Sequence, residues 1–220
     1  MLFSFVKRNR FITLSLVLLS SVLYSQEKKE YNFFSPYKIG ILFNNANEKN
    51  FLFDDEDYLY TTHTYKLQSF HKIASCKKID FELIVEPQLQ FLKHQLLNLW
   101  FIQATETNFE QKREEFLRFK TMNLYGVEFG LSAKTKLLKN FYANSTIGLG
   151  FMFIDTRTER LAKGFTFIEN GSIGFTYAFH KKTALYFGGN IGHVSNFNFL
   201  SPNSGFNVLG YEIGIQFNLQ

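Results

Sequence analysis

The chain has 220 residues, enough for one domain, with 28 Phe and 11 Tyr beside a single Trp and a formal net charge of +5. Its one cysteine, Cys76, excludes an internal disulfide and has no CxxC partner for a redox or zinc motif. Lys7, Arg8 and Arg10 supply three of the positive charges in a leader-like segment, so the basic balance gives no argument for nucleic-acid binding.

Residues 1–25 read as a secretory signal peptide. The three cations form its n-region, Phe11 to Leu23 its apolar h-region, and Ser25 precedes a plausible cleavage point at Gln26. The apolar run is too short to span a bilayer as a helix. From residue 26 to 220 the chain reads as a single domain without a run of membrane-helix length.

What recurs instead is a period of two. Phe141, Ala143, Ile147, Leu149, Phe151 and Phe153 share one face, and Asn144, Thr146, Gly148 and Gly150 the other. The same alternation predicts strands at 36–44, 58–71, 79–91, 123–136, 141–154, 165–179, 183–195 and 207–219, with polar residues on both faces of the second. A soluble lipocalin-like barrel would bury the apolar face. A membrane barrel turns it to lipid and fills the lumen with polar side chains and glycine. The leader and the phenylalanine excess select the second reading. The expected fold is all-β, an eight-stranded antiparallel outer-membrane β-barrel.

Connections 45–57, 92–122, 155–164 and 196–206 are long, whereas 72–78, 137–140 and 180–182 are short. Long connections are expected outside the cell and short turns in the periplasm. The charged stretch Glu110 to Glu115 is helical or a solvated loop.

Chemistry concentrates between Ile191 and Asn207. His193 and Ser195 are two apart on a strand, on the outward parity of Leu185, Phe187 and Ile191. Polar groups facing lipid are costly unless they serve a function. A serine nucleophile needs a base and an oxyanion donor, which His193 and Asn196 can supply.

His193-x-Ser195-Asn196, followed by Pro202-Asn203-x-Gly205, resembles the lipid A 3-O-deacylase (PagL) family. The resemblance covers the barrel plan and is most specific over 164–219. It implies hydrolysis of an ester-linked 3-hydroxyacyl chain of lipid A by an outward-facing Ser–His–acid triad at the extracellular side. Carried over, Ser195 is the nucleophile, His193 the base and Asn196 an oxyanion contributor. The family's acid follows the histidine by 14 residues, and here that position is Asn207. Asparagine can orient a histidine but brings no charge. Glu169 shares the outward parity and lies across from His193 if the hairpin centres on Lys181, whereas Glu212 has lumenal parity. Pro202 and Gly205 also have a purely structural reading as turn formers.

Arg157, Arg160 and Lys163 are either contacts for lipid A phosphates or ordinary solvated charges. No metal and no cofactor is expected, since His63, His71, His94 and His180 lack paired ligand spacing. The expected partner is lipid A or lipopolysaccharide of the outer leaflet, with a homodimer left open. Two other functions stand beside the esterase: a structural or adhesion barrel with a decayed triad, and a passive pore, for which an eight-stranded interior is narrow.

Overall fold

The computed structural model describes residues 35–47 and 56–219, so the signal-peptide segment 1–25 lies outside the described residues. The eight strands are β1 (Lys38–Asn47), β2 (Tyr58–Cys76), β3 (Ile79–Leu96), β4 (Lys120–Leu138), β5 (Phe141–Ile154), β6 (Gly164–His180), β7 (Thr183–Ser195) and β8 (Phe206–Asn218). Each pairs antiparallel with its sequence neighbours, and β1 closes on β8 from Lys38↔Asn218 to Ala46↔Gly210, giving a barrel.

Several strands outrun their sequence limits. β2 extends to Cys76, and β3 and β4 reach Leu96 and Lys120, so the turns shrink to 77–78, 139–140 and 181–182. Residues beyond the hydrocarbon layer have no lipid to face, so alternation fades there while the ladder continues. Lys77 and Asn140 adopt positive φ of 54° and 63°, which lets two residues reverse the chain. Connection 97–119 holds a single 3₁₀ turn, Leu99–Phe101, and helix α1, Phe109–Phe116, whose Phe116 packs on Tyr58, Leu96 and Ile102.

The exterior is apolar. Leu67, Ile147 and Ile173 are 61%, 66% and 70% exposed, the opposite of a water-soluble core. The lumen holds the charges. Lys66 Nζ contacts Glu128 at 2.8 Å and Glu86 at 3.1 Å; Gln88 and Asn170 donate to Glu128 at 2.9 and 3.2 Å. Tyr186 donates to Glu212 at 3.0 Å. Gly148 belongs to this packing, because a Cβ there would stand 2.3 Å from Glu128 Oε1. The cavity left among these groups is about 30 Å³, space for roughly two waters. That filling argues against the passive pore.

Towards the end with the long connections lies an apolar cluster of Leu92, Met122, Leu124, Met152, Ile154, Leu161, Ile168 and Val194. Val194 is fully buried in it. Because side chains alternate, anchoring Val194 inward turns His193 and Ser195 outward.

Candidate active site

His193 lies between two strands. The ladders set it opposite Glu169 on β6 and Asn207 on β8. Its Nδ1 is 2.8 Å from Asn207 Oδ1. An amide oxygen only accepts, so Nδ1 carries the hydrogen and donates it. Nε2 of the neutral ring then keeps its lone pair.

The ring leans towards the loop end of β7. One step beyond the last β7–β8 pair, Val194↔Phe206, lies Gly205. A Cβ at 205 would meet His193 Nε2 at 2.9 Å and Val194 O at 2.3 Å, and φ there is +67°. Both the space and the backbone therefore require glycine. Turn formation accounts for the φ, but the proximity of the histidine ring was not visible in the sequence.

Ser195 ends β7, opposite Phe167, and is 6% exposed; Thr166 Oγ1 donates to its carbonyl at 2.7 Å. Asn196 is fully buried. Its backbone N–H donates to Asn203 Oδ1 at 2.5 Å, and its Nδ2 to Leu200 O at 2.9 Å and Pro202 O at 3.5 Å. Both the backbone and side-chain nitrogens expected to serve an oxyanion are thus engaged in holding connection 196–205. Asn203, treated only as part of the motif, is the residue that receives the Asn196 N–H. The recurrence of asparagine at 196, 198 and 203 was the available signal.

A second connection clasps this one. Ala162 N donates to Pro202 O and Gly205 N to Arg160 O, both at 3.0 Å, and Leu161 bridges Asn203. Arg160 is turned inward, with its guanidinium carbon 3.8 Å from the Tyr58 ring centroid. Arg157 and Pro202 line a cavity of about 190 Å³ with Phe101, Phe116 and Glu159. Lys163 is exposed and attracts Asp155. Burial raises the Asp155 pKa, but donation from the Asn123 backbone, the Thr156 hydroxyl and the Asn123 side chain outweighs it, and the net shift is downward.

Glu169 is exposed on the outward face and makes no ion pair with His193; the His–carboxylate pair among the described residues is His94–Glu159, at 3.3 Å. Glu212 is buried in the lumen against Tyr186, away from the site. The structure therefore brings His193, Asn207 and Gly205 into contact and sets Ser195 and Glu169 on the same outward surface. Asn196 anchors the covering loop.

The chain resembles known proteins in fold and in sequence profile. A crystal structure of the outer membrane enzyme PagL superposes with a TM-score of 0.53 at 8% identity, covering 83% of this chain and 99% of that one, which shows a shared fold. Neisserial surface protein A gives 0.42 at 10% identity, over 83% and 96% of the two chains. No curated protein sequence matches. The profile of the family described as lipid A 3-O-deacylase (PagL) matches residues 81–216, more than half of the chain, and takes in Glu169, His193, Ser195, Asn196, Gly205 and Asn207. The chain is an outer-membrane β-barrel and belongs to the lipid A 3-O-deacylase (PagL) family.

Proposed function

We propose that the protein is a serine esterase that removes an ester-linked 3-hydroxyacyl chain from lipid A in the outer leaflet. The observation that carries this reading is the His193 Nδ1–Asn207 Oδ1 bond, which fixes the tautomer and leaves Nε2 as base. Ser195 Oγ attacks the ester carbonyl carbon as its proton passes to Nε2. The tetrahedral intermediate collapses, the sugar oxygen leaves with that proton, and the acyl group stays on Ser195. Water, deprotonated by the same Nε2, attacks the acyl carbon. The fatty acid departs and the proton returns to Ser195.

Asn207 orients the imidazolium without neutralising it, and the Glu169 carboxylate across the ladder supplements it with charge. Asn196 serves first as the anchor of connection 196–205; oxyanion donation from its backbone requires Asn203 Oδ1 to give way. Every group invoked comes from one chain, so no second copy is needed. Residues 1–25 act as a signal peptide, leaving one barrel domain at 26–220; N-terminal sequencing of protein from outer membranes tests this.

The neutral Asn207 favours one alternative, a barrel that keeps the scaffold for structure or adhesion. Mass spectrometry of lipid A from cells with and without the protein decides between them. Loss of one 3-hydroxyacyl chain is expected with the wild type and not with Ser195→Ala. An unchanged lipid A with wild-type protein, or deacylation by Ser195→Ala, overturns the proposal.

A further inference from the structure

The outward surface is unequal on the two sides of Ser195. On the β6 side the ladders form one lateral row: Ser195 opposite Phe167, Phe167 opposite Phe151, and Phe151 opposite Val127. Ring contacts run along it, with centroids at 5.7 Å for Phe151–Phe167, 4.9 Å for Phe165–Phe167 and 6.2 Å for Phe129–Phe151. On the β8 side the neighbours are Gly205 and Asn207, which offer no apolar side chain.

Aromatic residues on a barrel exterior are ordinary as a girdle. Two further features are not explained by a girdle. Connection 196–205 turns its rings back onto the row: Phe197 lies 4.6 Å and Phe199 6.0 Å from Phe167, which is 8% exposed although it has outward parity. This fold places Phe197 and Asn198 in succession at positive φ, 49° and 65°. A bulky side chain adopts that region only under strain, and such strain gathers at functional sites. Phe165, 44% exposed, reaches the lipid side from a regular strand without any of this.

We infer that Phe167, Phe197, Phe199 and Phe151 form an acyl-chain site that sets chain-length preference. The straight saturated chain of the scissile ester leaves Ser195 along the exposed outer edges of the Phe197 and Phe199 rings that cover Phe167, and runs towards β5 and β4, away from β8. This rests on Ser195 being the nucleophile. Strands are about 4.8 Å apart, so Phe151 stands roughly 10 Å along the row from Ser195. A two-carbon acyl group ends beside Phe167, whereas a medium-length chain reaches Phe151. The rings are therefore specificity-determining groups for the chain.

The test uses the folded barrel in detergent with two probes, p-nitrophenyl acetate and p-nitrophenyl octanoate, and reads the ratio of kcat/KM for octanoate to that for acetate. Phe151→Ala is expected to lower the ratio roughly fivefold, the worth of one lost ring face. Phe199→Ala, in the loop and away from the ladder, lowers it in the same direction, so the result does not depend on one strand variant. Tyr211→Ala, an exposed ring on β8 outside this row, keeps the wild-type ratio. Ser195-dependent hydrolysis with the ratio unchanged in both phenylalanine variants overturns the inference alone, as does an equal fall in Tyr211→Ala. Absence of Ser195-dependent hydrolysis of either ester overturns the esterase reading and this inference together.

Discussion

The lumen and the outward corner on β7 both carry polar side chains on the barrel wall, and they use them differently. In the lumen, Lys66 is clasped by Glu86 and Glu128, and Gln88 and Asn170 take up Glu128 capacity that remains. These groups satisfy one another and hold the wall together. At the corner, the histidine is bound on one nitrogen only, and its other nitrogen sits beside a glycine. Mutual pairing of this kind gives a strut. A pairing made on one side only leaves a lone pair for chemistry. Substitutions in the two regions should therefore separate stability from activity.

The largest effect is expected at the corner. Ser195→Ala and His193→Ala should each reduce lipid A deacylation by a factor on the order of 10⁴ or more, and the double variant by no more than either alone, since such groups act as a unit. Heat-modified migration on gels, which reports barrel folding, should match the wild type. An additive double variant would break the picture of one catalytic unit. In the lumen the expectation is reversed. Glu128→Ala leaves Lys66 with less compensation and should lower unfolding stability by about 3–5 kcal/mol, with activity lost only where folding is lost. Urea titration in detergent measures it.

The next effect sharpens the boundary between them. Gly205→Ala puts a methyl group where Val194 O and the His193 ring already stand. Activity should fall on the order of 100-fold through a displaced ring, with KM changing little. The backbone strain at positive φ should cost about 1–2 kcal/mol in stability. Unchanged kcat would show that the ring has freedom that this packing denies it.

Strands β3 to β8 were legible because lipid and lumen impose opposite chemistry on alternate residues, as Phe81, Leu83 and Val85 alternate with Glu82 and Glu86. The same parity placed His193 and Ser195 outward and Glu212 inward, and the hairpin centre at Lys181 implied the Glu169↔His193 pairing that the ladder contains. Strand ends past the hydrocarbon, such as 72–76 and 92–96, lost the signal with the lipid. The loop interactions were far less legible, with only the recurrence of asparagine at 196, 198 and 203 to mark them. The clasp of Ala162 on Pro202 and the hold of Asn203 on Asn196 join residues whose meeting depends on loop conformation, which has no period. Asn196 shows the consequence: its chemical type suggested an oxyanion donor, whereas its surroundings make it an anchor.

A smaller effect tests what charge adds to orientation. Asn207→Asp returns a carboxylate to the hydrogen-bonded position and should raise kcat for deacylation roughly tenfold by stabilising the imidazolium, about one pKa unit of interaction. Asn207→Ala should lower it by a comparable factor through the lost orientation. Glu169→Gln, which removes charge from a group outside hydrogen-bonding contact, should cost less than Asn207→Ala. If Asn207→Ala is silent while Glu169→Gln is crippling, the roles given to the two strands flanking His193 are reversed.

The smallest effect lies at the base of the clasp, where Asp155 ties the end of β5 to Asn123 on β4. Its carboxylate accepts from the Asn123 backbone at 3.0 Å and from the Asn123 side chain at 2.7 Å. Burial opposes the ionised form, yet these donors and Thr156 win, so the folded pKa lies below the unfolded value of 3.8. The folded state therefore holds the proton less tightly than the unfolded chain does. Asp155 contributes stability fully above the unfolded value, and the contribution disappears as pH falls through the folded one. Asp155→Asn should accordingly be less stable than the wild type at pH 7, by less than about 1 kcal/mol for a group so near solvent, and the two should converge on acidification below pH 3.8. Parallel urea titrations at several pH values measure the difference. A gap that persists unchanged at the acid end would mean that the side chain acts through its shape, and the electrostatic account of this corner would fail there.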